Sequence, residues 1–491
     1  MKWLRAVSCG NDLDILTRER IQGSCEWFLE RKQYQTWKSP NYSAGRPEVL
    51  WCYGGPGVGK TYLSAKIVEN LKTTTSLPVA FFFAAHGDER KREPLSIIGS
   101  WIYQLALQRA SVFERLKSSY ESKNDEVITE TELWDLFSFS ISAADRCYLL
   151  VDGFDELTTE RGQRRSRIMG AREALLNTLF GQLSGTVNEA HVHLAVISRE
   201  ESDIKRRVFN AQQLELATIH TYGFDSNDNA KDLLSFCQRL IDQAVGDMDQ
   251  SVKTELAEKL AERSDGMMLW AYLTSQELHP GRTKSQLLED ILETPKGLNH
   301  AYMRDLRRIE KLGQKMRERA TEILRWTLFA LQPLSVIQIT DALLVDTENM
   351  ALDVKNRPTP INYKYIESQL LGLVGSLVRY RPRAGYGVPG EGFIELSHFS
   401  VKEFLLGKTN TSEIQFRRRD CHGQLAMVCF TYLVWEEFDD TRFRRNVLSC
   451  SRDEVKTSRL LAQHTDKASL FFYCRHWSSH ARASLSLASS I

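Results

Sequence analysis

Residues Gly54-Gly55-Pro56-Gly57-Val58-Gly59-Lys60-Thr61 fit the spacing GxxxxGK[ST], the pattern of a loop that wraps phosphate. Its glycines let successive backbone N–H groups turn toward anionic oxygens, and the N-terminus of a following helix adds a partial positive charge. Lys60 is placed to reach the β- and γ-phosphates and Thr61 to ligate Mg²⁺. A second group lies downstream, where the apolar run Tyr148-Leu149-Leu150-Val151 ends in Asp152-Gly153-Phe154-Asp155-Glu156. Acids at the C-terminal end of a buried strand sit where open α/β sheets bind ligands. Asp152 is read as the magnesium-side carboxylate, acting through water. Asp155 and Glu156 are read as acids that orient or deprotonate the water attacking a γ-phosphate, with Glu156 preferred. Capping of the next segment is the competing use for either acid. A third run, His193 to Ile197, ends in Ser198-Arg199, which places Arg199 at the same sheet edge as a γ-phosphate sensor or as a surface arginine.

These groups need a sheet to hold them. The phosphate-loop pattern follows an apolar run, Val49 to Tyr53, and precedes an amphipathic stretch with Leu63, Ile67, Val68 and Leu71 on one face. PVAFFF (residues 78–83), a helix through Leu95, Ile98, Ile102 and Leu105, and the strands at 148–151 and 192–197 continue the alternation. Buried strands alternating with helices predict an α/β core, a mostly parallel sheet with helices on both faces. After about residue 205 the strand signal fades and helical periodicity takes over. From Arg319 to Val345 two helices flank Pro333, followed by LLGLVGSLVRY and a Gly/Pro turn before GFIELSH, an order of helices and then a hairpin that predicts a winged helix. The expected domains are a helical lead-in (1–45), a phosphate-loop nucleotide domain (46–205), an all-α lid (206–300), a winged helix (301–410) and a C-terminal helical region (411–491).

The chain has 491 residues, long enough for several domains, and its 64 Lys+Arg against 63 Asp+Glu leave no general field for nucleic acid or an anionic membrane. Nine cysteines without a CxxC pair, and the lack of a secretory apolar run or a membrane-spanning stretch, predict a soluble, cytoplasmic protein.

Gly54 to Thr61, Asp152 to Glu156 and Ser198-Arg199 together resemble the NACHT family of signal-transduction NTPases, in the fungal branch related to heterokaryon-incompatibility proteins with a nephrocystin-like nucleotide domain. The likeness extends to GSCEWFLE at Gly23, SDGMMLWA at Ser264 to Ala271, and Leu396 to Leu405, which is similar to an HxSVxEFL motif. The usual TSRP reads Ile197-Ser198-Arg199-Glu200 here, so the proline that stiffens that turn is missing. The resemblance implies a switch resting with ADP or GDP, loaded with ATP or GTP and Mg²⁺, hydrolysing slowly and self-associating on activation toward an unidentified effector. It implies roles in fungal non-self recognition or programmed cell death, and for His398 a contact with the β-phosphate of bound diphosphate. Such proteins usually carry an effector before the nucleotide domain and repeats after the helical region; neither pattern is visible, which reads as a shortened form, a fragment or a stand-alone regulator.

The rival reading is an ATPase machine that remodels protein or nucleic acid; a nucleotide-binding module without turnover and a small-molecule kinase are weaker alternatives. No NKxD guanine-reading string appears, which does not exclude GTP. Cys474, His476 and His480, with Cys421 and His422, allow a metal reading that competes with an aromatic packing helix. The run Arg161, Arg164, Arg165 and Arg167 allows a phosphate contact, but in a chain of near-zero net charge the preferred reading is a solvated loop.

Overall fold

The structure, a computed structural model, describes residues 3–39, 46–121, 127–157, 170–185, 191–225, 227–383, 388–434 and 477–486. The chain divides into two compact units, Met1–Lys296 and Gly297–Ile491.

In the first unit β1 (Glu48–Tyr53), β2 (Val79–Phe83), β3 (Arg146–Asp152), β4 (His191–Ser198) and β5 (Thr218–Gly223) form one sheet in the order β2-β3-β4-β1-β5. Every pairing is parallel. The apolar runs form these strands because both faces are covered: β1 through β4 are buried almost throughout, and helices Lys60–Thr74, Pro94–Ala106, Glu130–Ala144 and Ser202–Gln213 pack against the sheet. The topology inserts β4 between the strand that feeds the phosphate loop and the strand that ends in Asp152. All the loops leaving the C-terminal ends of β1, β3 and β4 therefore open at one edge.

The sheet extends past residue 205, where the sequence shows no further strand. β5 pairs along the whole of β1 from Glu48↔Thr218 to Tyr53↔Gly223, but most of its residues are only half-buried, so it lacks the apolar run that marks a central strand. After it come helices Ala230–Ala244, Gln250–Ser264, Met268–Ser275 and Lys284–Glu293. They share the first unit with the sheet.

The second unit begins with helices Leu298–Glu310 and Gln314–Phe329. Strand β6 (Leu334–Ser335), helix Val336–Ala342, the short hairpin β7 (Val345–Asp346) and β8 (Ala351–Leu352), and a helical stretch over residues 363–374 follow. β9 (Val378–Arg381) and β10 (Phe393–Leu396) then form an antiparallel hairpin, with β6 on the far side of β10. Ser335 starts helix Val336–Ala342 by a reciprocal capping box with Gln338, which explains why the helix begins just after Pro333. Buried Ile323, Trp326, Leu334, Ile339 and Leu370 supply the core of this unit. Helices Phe399–Leu406, Arg418–Val434 and Trp477–Ser486 complete the described part. Among the described residues no helix is long and apolar enough to cross a membrane.

Candidate functional site

The phosphate loop turns out of β1 through Gly57 and Gly59, at φ 74° and 96°, where a Cβ would be strained. Gly59 is the N-cap of helix Lys60–Thr74, so the loop delivers the helix start directly beneath itself. Its first N–H, from Gly54, donates to the Ser198 carbonyl at 3.3 Å and ties the loop to the end of β4. The Lys60 ammonium curls back to donate to the carbonyls of Gly54 (2.9 Å) and Gly55 (2.6 Å). Burial lowers its pKa, and the charges of Asp155 and Asp152 oppose that shift.

Asp152 is 3% exposed at the end of β3. Its Oδ1 accepts from Ser64 Oγ at 2.7 Å, and the Thr61 hydroxyl also bonds its carboxylate. Burial pushes Asp152 up to about 6, against the pull of those hydroxyls and of Lys60. A hard-oxygen pair of this kind, Thr61 and Asp152 meeting at the mouth of a phosphate loop, fits a small divalent cation that also takes phosphate oxygens. Ser64 was not among the residues singled out from sequence; its signal was the i,i+3 spacing that puts it on the same helix face as Thr61.

Glu156 and Asp155 face different surroundings. Glu156 accepts the His86 N–H at 2.8 Å, and burial, followed by the Asp155 charge, pushes it up to about 8. Asp155 is committed to Arg199: the Arg199 N–H reaches Oδ1 at 3.0 Å and its Nε lies 3.3 Å from Oδ2. Arg172 fixes the same turn, donating to the Asp155 carbonyl at 2.7 Å while its guanidinium forks onto Asp203. Arg199 therefore does project from the edge that carries the acids, with its nearest charge partner on the β3 turn. Lys60, Asp152, Asp155, Glu156 and Arg199 all fall within one electrostatic neighbourhood.

His398 lies in the second unit, as the N-cap of helix Phe399–Leu406. Its Nδ1 accepts the Ser400 N–H at 3.1 Å and meets Ser400 Oγ at 2.7 Å, and Ser400 Oγ in turn meets the Tyr302 hydroxyl at 2.8 Å. Cys474 and His476 lie outside the described residues, as do Arg161, Arg164, Arg165 and Arg167. Of the remaining candidates for a metal, His422 and His480 meet ring to ring, Nδ1 to Nδ1 at 2.8 Å. Among the described residues no group of three or more potential ligands forms.

A parallel sheet with a glycine loop on β1 and buried acids at the end of β3 defines a P-loop NTPase fold. Residues 23–199 match the family described as nephrocystin 3, N-terminal. Over 488 residues the chain is 23% identical to the vegetative incompatibility protein HET-E-1 of Podospora anserina, covering 96% of this chain and 33% of that protein. The chain is thus similar to HET-E-1 and spans about a third of that protein's length. Among solved structures it is similar to Cdc6p from Pyrobaculum aerophilum, at 12% identity over 81% of this chain and 97% of that one with a TM-score of 0.33. A Walker-type ATPase of Pyrococcus abyssi gives 14%, 81%, 95% and 0.31. Likenesses this loose add nothing to the fold already described.

Proposed function

We propose that this chain is a nucleotide-dependent signalling switch that binds ATP or GTP with Mg²⁺, hydrolyses it slowly, and controls self-association in an incompatibility-type response. The observation that carries the reading is the meeting of Lys60, Thr61 and Ser64 on one helix turn with buried Asp152. Nothing in ordinary folding calls for a buried carboxylate beside a desolvated lysine and two hydroxyls, whereas a phosphate and its cation use all four.

In this reading Lys60 exchanges the carbonyls of Gly54 and Gly55 for phosphate oxygens. The N–H groups of Gly55, Gly57, Val58 and Gly59, with Pro56 holding the turn, line the cradle. Thr61 and Asp152 hold Mg²⁺, which would supply charge neutralisation on the transferred phosphoryl group. Glu156 holds the attacking water; as that water's oxygen bonds to the γ-phosphorus the β–γ bridging bond breaks, the diphosphate leaves, and the water's proton passes to an oxygen of the released phosphate. Because the transition state is loose, positioning matters more than proton removal, which suits a carboxyl whose pKa is raised. Asp155 acts through Arg199, setting the height of that guanidinium at the sheet edge. The helices between residues 206 and 300 are assigned the lid.

The test is the nucleotide released on denaturing the purified chain, run beside Lys60→Ala and followed by a turnover assay. Stoichiometric ADP or GDP in the parent only, with slow turnover, is the expected result. Fast turnover from an empty site would favour a remodelling ATPase, and neither binding nor turnover would remove the nucleotide reading.

A further inference from the structure

The carbonyl side of the phosphate loop is held by residues that the phosphate-binding pattern does not contain. Asn229 is 4% exposed at the start of helix Ala230–Ala244. Its two amide hydrogens donate at 3.1 Å each, one to the carbonyl of Val58 in the loop and one to the carbonyl of Gly266. Gly266 belongs to a turn in which Asp265 and Gly266 are both left-handed, at φ 50° and 80°, and that turn leads into helix Met268–Ser275. From there the Leu269 N–H donates to the Gly57 carbonyl at 3.2 Å, and a Cβ on Gly57 would stand 2.6 Å from that of Leu269.

Two successive loop peptides are thus held by their carbonyls. In a trans peptide the C=O and the N–H point to opposite sides. Holding the carbonyls of Gly57 and Val58 therefore aims the N–H groups of Val58 and Gly59 at the other side of the loop, where the cradle lies. One turn along the same helix, Asp232 Oδ2 accepts the Cys25 N–H at 2.7 Å and the Trp27 indole N–H at 3.0 Å. Trp27 stands edge-on to Phe224 at 6.1 Å, and Phe224 packs where a Cβ on Gly54 would be, at 2.8 Å. The first turn of this one helix joins the loop, the 264–269 turn and the lead-in.

We propose that Asn229, with Asp232, is a positioning joint: it aims the loop's amides at phosphate and transmits occupancy of the loop to the helices that follow and to the lead-in. The inference rests on the nucleotide reading above. Asparagine is suited to the place because a neutral amide can donate to two carbonyls at once, whereas an aspartate of the same shape can donate to neither and repels both.

The experiment uses the full chain and whichever of ADP and GDP the parent binds, with Mg²⁺. Release of the fluorescently labelled diphosphate is timed by stopped flow, and hydrogen exchange of residues 264–275 is followed with and without nucleotide. Asn229→Asp should release at least about tenfold faster and lose the nucleotide-dependent protection of 264–275, and Asp232→Ala should do the same more weakly. Leu240→Ala, a buried apolar truncation on the same helix, should melt earlier yet keep both the parent's release rate and its protection response. An Asn229→Asp chain that releases and responds like the parent would overturn the joint, and so would a Leu240→Ala chain that matches Asn229→Asp, since the effect would then be loss of stability alone. A parent that binds neither diphosphate overturns the nucleotide reading and the joint together.

Discussion

Asp152 in the first unit is buried, and Glu156 beside it and Glu395 in the second unit are half-buried, yet their protonation is driven in opposite directions. At the sheet edge, burial pushes Asp152 to about 6 and Glu156 to about 8, and the Asp155 charge adds to both shifts. On β10, burial also raises Glu395, but the guanidiniums of Arg379 (2.8 Å) and Arg381 (3.0 Å) outweigh it and hold the group below its ordinary value. Asp341 has Arg357 at 2.9 Å, and Asp305 accepts the Ser376 N–H at 3.0 Å. The second unit settles its acids locally, as a scaffold should. The first gathers three acids about one desolvated lysine and Arg199, the arrangement that the proposed cation and polyanion would complete.

Three substitutions probe this contrast. Lys60→Ala should have the largest effect, weakening nucleotide binding at least about 100-fold in a titration with labelled diphosphate, because the remaining backbone donors carry no full charge. Binding within a few-fold of the parent would mean that Lys60's bonds to Gly54 and Gly55 are its purpose. Glu156→Gln should cut turnover by about 10- to 100-fold while nucleotide is retained. It should also raise the melting midpoint at pH 7.5. Glu156 has a folded pKa raised above its unfolded one, so the stability it contributes is present below pH 4.5 and is lost as pH rises through about 8. The amide removes that penalty. Glu395→Gln should do the reverse, lowering stability by about 1 kcal/mol in a denaturant titration with no change in nucleotide binding, since it removes the carboxylate that accepts from Arg379 and Arg381. A stabilised Glu395→Gln chain, or a destabilised Glu156→Gln chain, would erase the distinction between the two kinds of buried acid.

The part of the site that is local in sequence is the part that was legible there. The glycine loop and the acids after Val151 are continuous strings whose flanking apolar runs state which strand ends beside which helix, and the sheet brings Gly54–Thr61, Asp152, Asp155, Glu156 and Arg199 to one edge as those runs predict. Strand β5 was not legible because an edge strand with one half-exposed face carries no apolar run. That Asp155 is engaged by Arg199, and Glu156 by the His86 N–H, depends on the parallel register of β3 with β4 and of β2 with β3, which no spacing reveals. Asn229 is still further from view: an asparagine before a helix reads as an ordinary cap, and its bonds to Val58 and Gly266 exist only once three distant segments have met.

The smallest effect distinguishes the units by acid. Each has, among its described residues, a histidine that burial keeps neutral: His193 on β4, whose Nδ1 bonds the Trp37 carbonyl at 2.7 Å, and His422, whose Nδ1 meets that of His480; His193 and His422 are each pushed down to about 4. The Arg418 and Lys402 charges add to the burial of His422. For His193 Arg146 and His191 act in the same sense, while the bond to Trp37 and the Glu48 charge oppose it. With an unfolded pKa near 6.5, each contribution is complete above that pH and is lost as pH falls toward 4, so moving from pH 7 to 5.5 should cost each unit about 1 kcal/mol. Proteolysis mapped to each unit across that range would show both weakening together in the parent. His422→Phe should flatten the response of residues 297–491 and leave that of residues 1–296 unchanged. If both units kept the parent's slope, some other group would carry the acid sensitivity of the second unit; if both flattened, the two would be unfolding as one.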